Sequence, residues 1–166
     1  MSHRLRIALS GKARSGKDTA ALILKESYGA RLFSFSRPLY KVTEFIQTTL
    51  HKEVVKDPNL LQLIGGSLRD LYGSDVWVEE LLRDLKTFGD TNDPLVVVDV
   101  RHKNEYDALK REGFIIIRIN RENRPRDRDP THPSETELDG ASFDYLIENN
   151  GSIEELKQSL EKVIGI

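Results

Sequence analysis

The chain has 166 residues, no cysteine, 7% aromatic residues and a formal net charge of −2. One domain fits that length, and folding at this size buries roughly 70% of the unfolded surface, so no staples or metal clips are needed. The composition excludes disulfides, cysteine-rich zinc sites and thiol nucleophiles, and it offers no general attraction for nucleic acid or acidic membrane.

Leu5-Arg6-Ile7-Ala8-Leu9 reads as a buried strand, broken at Ser10-Gly11. A helix is predicted over 17–28, with Ala20, Ala21, Leu24 and Tyr28 at helical spacing and Gly29 ending it. Residues 31–35 form a short strand. Pro38 then opens a helix whose apolar face is Val42, Phe45, Ile46, Thr49 and Leu50. Two more helices are predicted near 59–72 and 75–88. Leu95-Val96-Val97-Val98-Asp99 is a continuous apolar run ending in an acid, the pattern of a strand covered on both faces. A helix over 103–112 leads to a second such run, Phe114–Ile117. Residues 121–140 are polar, proline-bearing and rich in Arg and Asp, which predicts a long loop. A short strand over 143–147 precedes a last helix, opened by the capping box Ser152-x-x-Glu155. Alternating helices and buried strands predict an α/β domain with a parallel sheet and helices on both faces.

The pattern Gly11-x4-Gly16-Lys17 sits between a buried strand and a helix, the context a phosphate-binding loop demands. Its glycines let backbone N–H groups curl inward at phosphate oxygens, and the helix N-terminus adds its dipole. Gly11, Ala13, Arg14, Ser15, Gly16, Lys17, Asp18 and Thr19 are therefore the candidate ATP-binding residues, with Lys17 on the terminal phosphates. Asp18 stands where a Mg²⁺-binding hydroxyl is usual. It reads either as a carboxylate for the water around Mg²⁺ or as an ordinary first-turn acid. Asp99, at the carboxyl end of its strand, reads as a second such acid or as a helix cap, and Arg101 follows into the same crevice. The stretch 118–128 holds five arginines, including Arg124 and Arg128, with His132-Pro133-Ser134-Glu135 just beyond. Alone it is a solvated basic loop. Beside a phosphate loop it is a candidate lid, whose arginines stabilise the migrating charge and exclude water.

The segments Gly11–Thr19, Phe33–Leu39, Val98–Glu105, His132–Glu135 and Phe143–Ser152 together resemble the deoxynucleoside monophosphate kinases of phages and large viruses. Animal phosphomevalonate kinases are the nearest alternative resemblance. The resemblance implies a three-layer P-loop NTPase fold of the nucleoside monophosphate kinase kind, one kinase domain over 1–166. It implies an acceptor-binding helical region at about 36–90 and a lid at about 121–137. Lys17, Arg124 and Arg128 are then the catalytic candidates. Ser36, Arg37, Arg69, Arg101 and Glu135 line the acceptor, and Asp18 and Asp99 face Mg²⁺ through water. His102 stands where phosphomevalonate kinases tend to carry a second arginine, which favours the nucleotide.

The expected activity is transfer of the ATP γ-phosphoryl group to a (deoxy)nucleoside monophosphate, with Mg²⁺. A GTPase-like switch lacks support, because no Asn-Lys-x-Asp element is present. A nucleic-acid module would need a basic face with aromatic platforms. No apolar stretch approaches the roughly 20 residues of a membrane span, and none follows Met1 as a signal segment. A cytoplasmic protein with small-molecule partners is expected, with no nucleic acid, no membrane, and a homodimer as the only oligomer anticipated.

Overall fold

The computed structural model describes residues 5–88, 92–125 and 129–165. Five parallel strands make one sheet in the order β2-β3-β1-β4-β5: β1 (Arg6–Ser10), β2 (Arg31–Phe33), β3 (Leu95–Val100), β4 (Ile115–Asn120) and β5 (Tyr145–Glu148). Helix α1 (Lys17–Tyr28) links β1 to β2, α5 (Lys103–Arg111) links β3 to β4, and α7 (Ile153–Ile164) closes the chain. Between β2 and β3 come α2 (Ser36–Thr49), α3 (Pro58–Tyr72) and α4 (Val76–Thr87), and a one-turn α6 (Pro133–Thr136) precedes β5.

The chain divides into two compact units, Met1–Phe33 with Thr91–Ile166, and Ser34–Asp90. In the first, Ile7 and Leu9 of β1, Val96 of β3, Ile117 and Ile119 of β4 and Ile147 of β5 point to one face of the sheet. There they meet Ala20, Ala21 and Leu24 of α1 and Leu156 and Leu160 of α7. The alternation along each strand is the period of two that a pleat imposes. Right-handed crossovers run from β1 outward to β2 and from β3 across to β4, in opposite directions, so α1 and α5 cover opposite faces. That reversal falls at β1, and it opens a crevice at the strand's carboxyl end.

The second unit is a three-helix layer. Trp77 of α4 is 5% exposed and donates from Nε1 to the Gly65 carbonyl of α3 at 3.3 Å. A Cβ on Gly65 would stand 3.1 Å from Leu39 Cδ2, so the missing side chain lets α2 and α3 close together. The Asp57 carboxylate caps α3, accepting from the Asn59 and Leu60 amides at 2.9 and 3.1 Å. No described helix is long and apolar enough to cross a membrane.

Three expectations shift. Helix α2 starts at Ser36 rather than Pro38 and buries Thr43 and Gln47, while Phe45, expected inward, is 71% exposed. Strand β4 runs on to Asn120, which takes Arg118 out of the loop and into the sheet. Within the long polar stretch, His132 caps the short α6, its Nδ1 accepting from the Ser134 amide at 3.2 Å.

Candidate active site

The loop from Gly11 to Gly16 turns at the carboxyl end of β1. Its backbone alternates handedness, with φ of +150° at Gly11, +62° at Arg14 and +102° at Gly16. Such alternation aims successive N–H groups inward and makes an anion nest. Both glycines are also sterically required. A Cβ on Gly11 would lie 2.4 Å from the Ile119 carbonyl oxygen, and one on Gly16 would lie 2.2 Å from Asn149 Nδ2. Asn149 itself donates to the Ser15 carbonyl at 2.9 Å, fastening the loop from the far side. Gly16 caps α1, so the first amides of that helix, at Lys17, Asp18 and Thr19, have no partner within it.

Lys17 is 6% exposed and donates through Nζ to the carbonyls of Gly11 at 2.7 Å and Lys12 at 2.8 Å. Burial lowers its pKa to about 8, and Arg101 and Arg118 push the same way against the nearby Asp18 and Glu135 carboxylates. Arg101, just past β3, reaches the Glu135 carboxylate at 3.3 Å, and Glu135 also accepts from the Ala13 amide at 3.0 Å. Arg124 donates to the Ala13 carbonyl at 3.1 Å. Lys17, Arg101, Arg124 and Glu135, far apart in sequence, thus gather around one loop.

Ser36 and Arg37 occupy the first turn of α2, and Arg69 lies in the last turn of α3, all three within the helical unit. Arg128 falls outside the described residues. Asp18 is exposed in the first turn of α1, and Asp99 is half-buried next to the last residue of β3. Among the described residues no three acidic or histidine side chains are arranged to hold a metal. That donor set fits a Mg²⁺ carried by phosphates and water, which needs only one or two protein carboxylates.

Sequence reasoning missed Asn149 and Asp139, and it counted Arg118 only among the five arginines of a lid. Asn149 clamps the loop. Arg118, 7% exposed, donates to Ser10 Oγ at 3.2 Å and to Asp139 at 3.0 Å, and lies over the Phe143 ring. Asp139 also takes Lys12 at 2.9 Å. Only the position of Arg118, directly after a buried strand run, hinted at its role. Beside the loop lies a cavity of about 280 Å³, lined among others by Lys12, Ser15, Asn120, Arg121 and Arg124.

A phosphate nest at the topological switch of a parallel sheet, ringed by a lysine and arginines, defines a P-loop kinase. Solved structures share the fold: TT1252 from Thermus thermophilus (TM-score 0.59, 20% identity, 99% of this chain and 98% of that one) and shikimate kinase from Aquifex aeolicus (0.53, 12%, 98% and 100%). A sugar kinase from Janibacter sp. HTCC2649 does so too (0.56, 12%, 98% and 95%). The family model described as deoxynucleotide monophosphate kinase matches residues 58–160. A protein of Acanthamoeba polyphaga mimivirus, provisionally named deoxynucleotide monophosphate kinase, is 30% identical over 90% of either chain. The chain belongs to the deoxynucleotide monophosphate kinase family. It is an ATP-dependent phosphotransferase, and the nucleotide reading of its sequence prevails over the phosphomevalonate alternative. The family-model match begins after the phosphate loop.

Proposed function

We propose that the enzyme transfers the γ-phosphoryl group of Mg·ATP to the phosphate of a deoxynucleoside monophosphate. The observation that carries this reading is the placement of Arg101 beside the donor loop, with Lys17 buried under that loop. The amides of residues 13–19 hold the ATP phosphates, and Lys17 turns from the loop carbonyls to the β- and γ-oxygens. The cavity beside Arg124, just under the roughly 300–1,000 Å³ typical of ligand sites, is the place for the donor nucleoside. A bound Mg²⁺ would neutralise phosphate charge, and Asp18 and Asp99 are the carboxylates that would hold it through water.

Arg101 receives the acceptor's phosphate, while Ser36, Arg37 and Arg69 of the helical unit are acceptor-binding candidates on the family resemblance alone. Planar guanidinium forks match phosphate oxygens two at a time. Residues 121–137 serve as the lid, an assignment supported by the reach of Arg124 to the Ala13 carbonyl. No covalent intermediate is needed, because alignment and charge neutralisation lower the barrier. A cytoplasmic setting agrees with such substrates.

The test is a coupled ADP-release assay with thymidine, deoxyguanosine and deoxycytidine monophosphates, their nucleosides and phosphomevalonate. A deoxynucleoside monophosphate is expected to win, with the nucleosides orders of magnitude poorer, because they bring no phosphate oxygens to the guanidinium forks. Arg101→Ala should cut kcat/KM for the monophosphate by roughly tenfold to a hundredfold, the worth of a charged hydrogen bond. Its ATP affinity should stay within about twofold of the parent. Preference for a nucleoside would overturn the acceptor assignment.

A further inference from the structure

Residues 132–139 lay a row of carboxylates along the groups that bind phosphate. Glu135 has a side chain only 3% exposed, with both oxygens on the Ala13 amide, at 3.0 and 3.3 Å, and one of them on Arg101. Asp139 takes Lys12 and Arg118. Glu137 accepts from the Lys103 amide at 2.8 Å and pairs with His102 Nδ1 at 2.9 Å, which fastens the segment to the start of α5. Leu138, 3% exposed, anchors it in the core.

These acids are not equivalent. The Asp139 and Glu137 side chains are 43% and 37% exposed, so water screens their pairs. Glu135 is shielded, and its charge acts at close range. It also bridges two functions: the Ala13 amide belongs to the donor loop, and Arg101 to the acceptor phosphate. A carboxylate offers the same acceptor oxygens and charge that a phosphate would bring to them.

We propose that Glu135 is a resident anion of the active site, holding the Ala13 amide and the Arg101 guanidinium in binding geometry and ceding both to substrate phosphates. The proposal rests on the functional reading above. Because one carboxylate serves one group of each site, the first substrate to displace it frees the group the second one needs. The first ligand bears the work of displacement and the second does not. ATP and acceptor therefore bind with positive coupling, which is reciprocal by thermodynamic necessity. Glu135 is a positioning residue, and ATP bound without an acceptor is held back from full engagement.

The experiment titrates the intact protein with Mg²⁺ and a non-hydrolysable ATP analogue (the β,γ-imido compound), followed by calorimetry. It is run alone and with thymidine, deoxyguanosine or deoxycytidine monophosphate, whichever turns over. In the parent, the monophosphate should tighten analogue binding by at least about fivefold. Glu135→Gln keeps the shape and an acceptor oxygen but removes the charge. It should bind the analogue alone about fivefold tighter than the parent, and the gain on adding the monophosphate should shrink below about twofold. Should that variant fold poorly, Glu135→Asp keeps the charge but shortens its reach, and should move both quantities the same way by less. Analogue binding without coupling in the parent overturns the inference alone, and so does a Gln variant that binds no tighter. Failure of the parent to bind the analogue at all overturns the functional reading, and the inference with it.

Discussion

Ile7, Leu9, Val96, Ile117 and Ile119 in the sheet-bearing unit are wholly enclosed, whereas Phe45, Leu63, Leu71 and Tyr72 in the helical unit are 63% to 71% exposed. The first unit sets a doubly covered sheet beneath its loop. The second is a thin layer held by the buried Trp77, Val78 and Leu81, the Gly65 close approach and a few polar ties, such as Gln47 to the Val55 carbonyl at 3.1 Å. Segments with little buried apolar surface open locally at low free energy, and moving parts of enzymes are drawn from them. The phosphate loop and Arg101 belong to the densely packed unit, and the acceptor-binding helical region proposed at about 36–90 falls in the thinner one.

Two variants should separate the units. Lys17→Ala is expected to lower kcat at least about a hundredfold, or roughly 3 kcal/mol, since it removes the loop's charge on the transferred group. The variant should unfold at no lower temperature than the parent, because it also removes a buried charge. Near-normal kcat in the ADP-release assay would sink the donor-loop assignment. Trp77→Ala should cost about 3 kcal/mol, the usual toll for an aromatic lost from a core. If the units open separately, amide exchange over 58–87 will accelerate while the amides of β1 and β4 keep their protection. Equal acceleration in both would erase the contrast and make the chain one cooperative body.

The same contrast governed what was legible in the sequence. Helix α1 was readable to both ends, Lys17–Tyr28, because a glycine flanks it on each side and its apolar residues recur at one spacing. Strands β1, β3 and β4 announced themselves as apolar runs, since a parallel sheet covered on both faces has no polar side to interrupt them. Helix α2 misled. Its apolar positions trace a face, but periodicity cannot say which side a thin layer buries, and Thr43 and Gln47 went inward instead. In the site, the motif residues Gly11–Lys17 were legible because the glycine and lysine spacing between a strand and a helix is a local pattern, even though the contacts that require both glycines are distant. Asn149 on Ser15, Asp139 on Lys12 and Glu135 on Ala13 span more than a hundred residues each, and no spacing rule records such pairs.

The smallest expected effect concerns the proton on Lys17. Its pKa in the fold, about 8, lies below the ordinary lysine value of 10.5, because burial and the neighbouring Arg101 and Arg118 disfavour the charge more than Asp18 and Glu135 support it. Between those two values the folded chain holds fewer protons than the unfolded one, so this lysine adds stability as pH rises from about 8 to 10.5. At neutral pH its charge costs stability, of order 3 kcal/mol by the pKa difference. Lys17→Met should therefore be more stable than the parent at pH 7, and the advantage should narrow by pH 10. ATP reverses the balance: phosphate oxygens beside Nζ favour the charged form, so above pH 8 binding must take up a proton. Half of the free enzyme carries that proton at pH 8 and about a tenth at pH 9, so ATP should bind roughly fivefold more weakly at the higher value. Calorimetry in buffers of different ionisation enthalpy would count the proton directly. Lys17→Arg, charged throughout this range, should bind ATP with a flat profile. A parent profile equally flat would mean that Lys17 keeps its proton in the free enzyme. The contacts to the Gly11 and Lys12 carbonyls would then outweigh the burial that separates this lysine from its exposed counterparts.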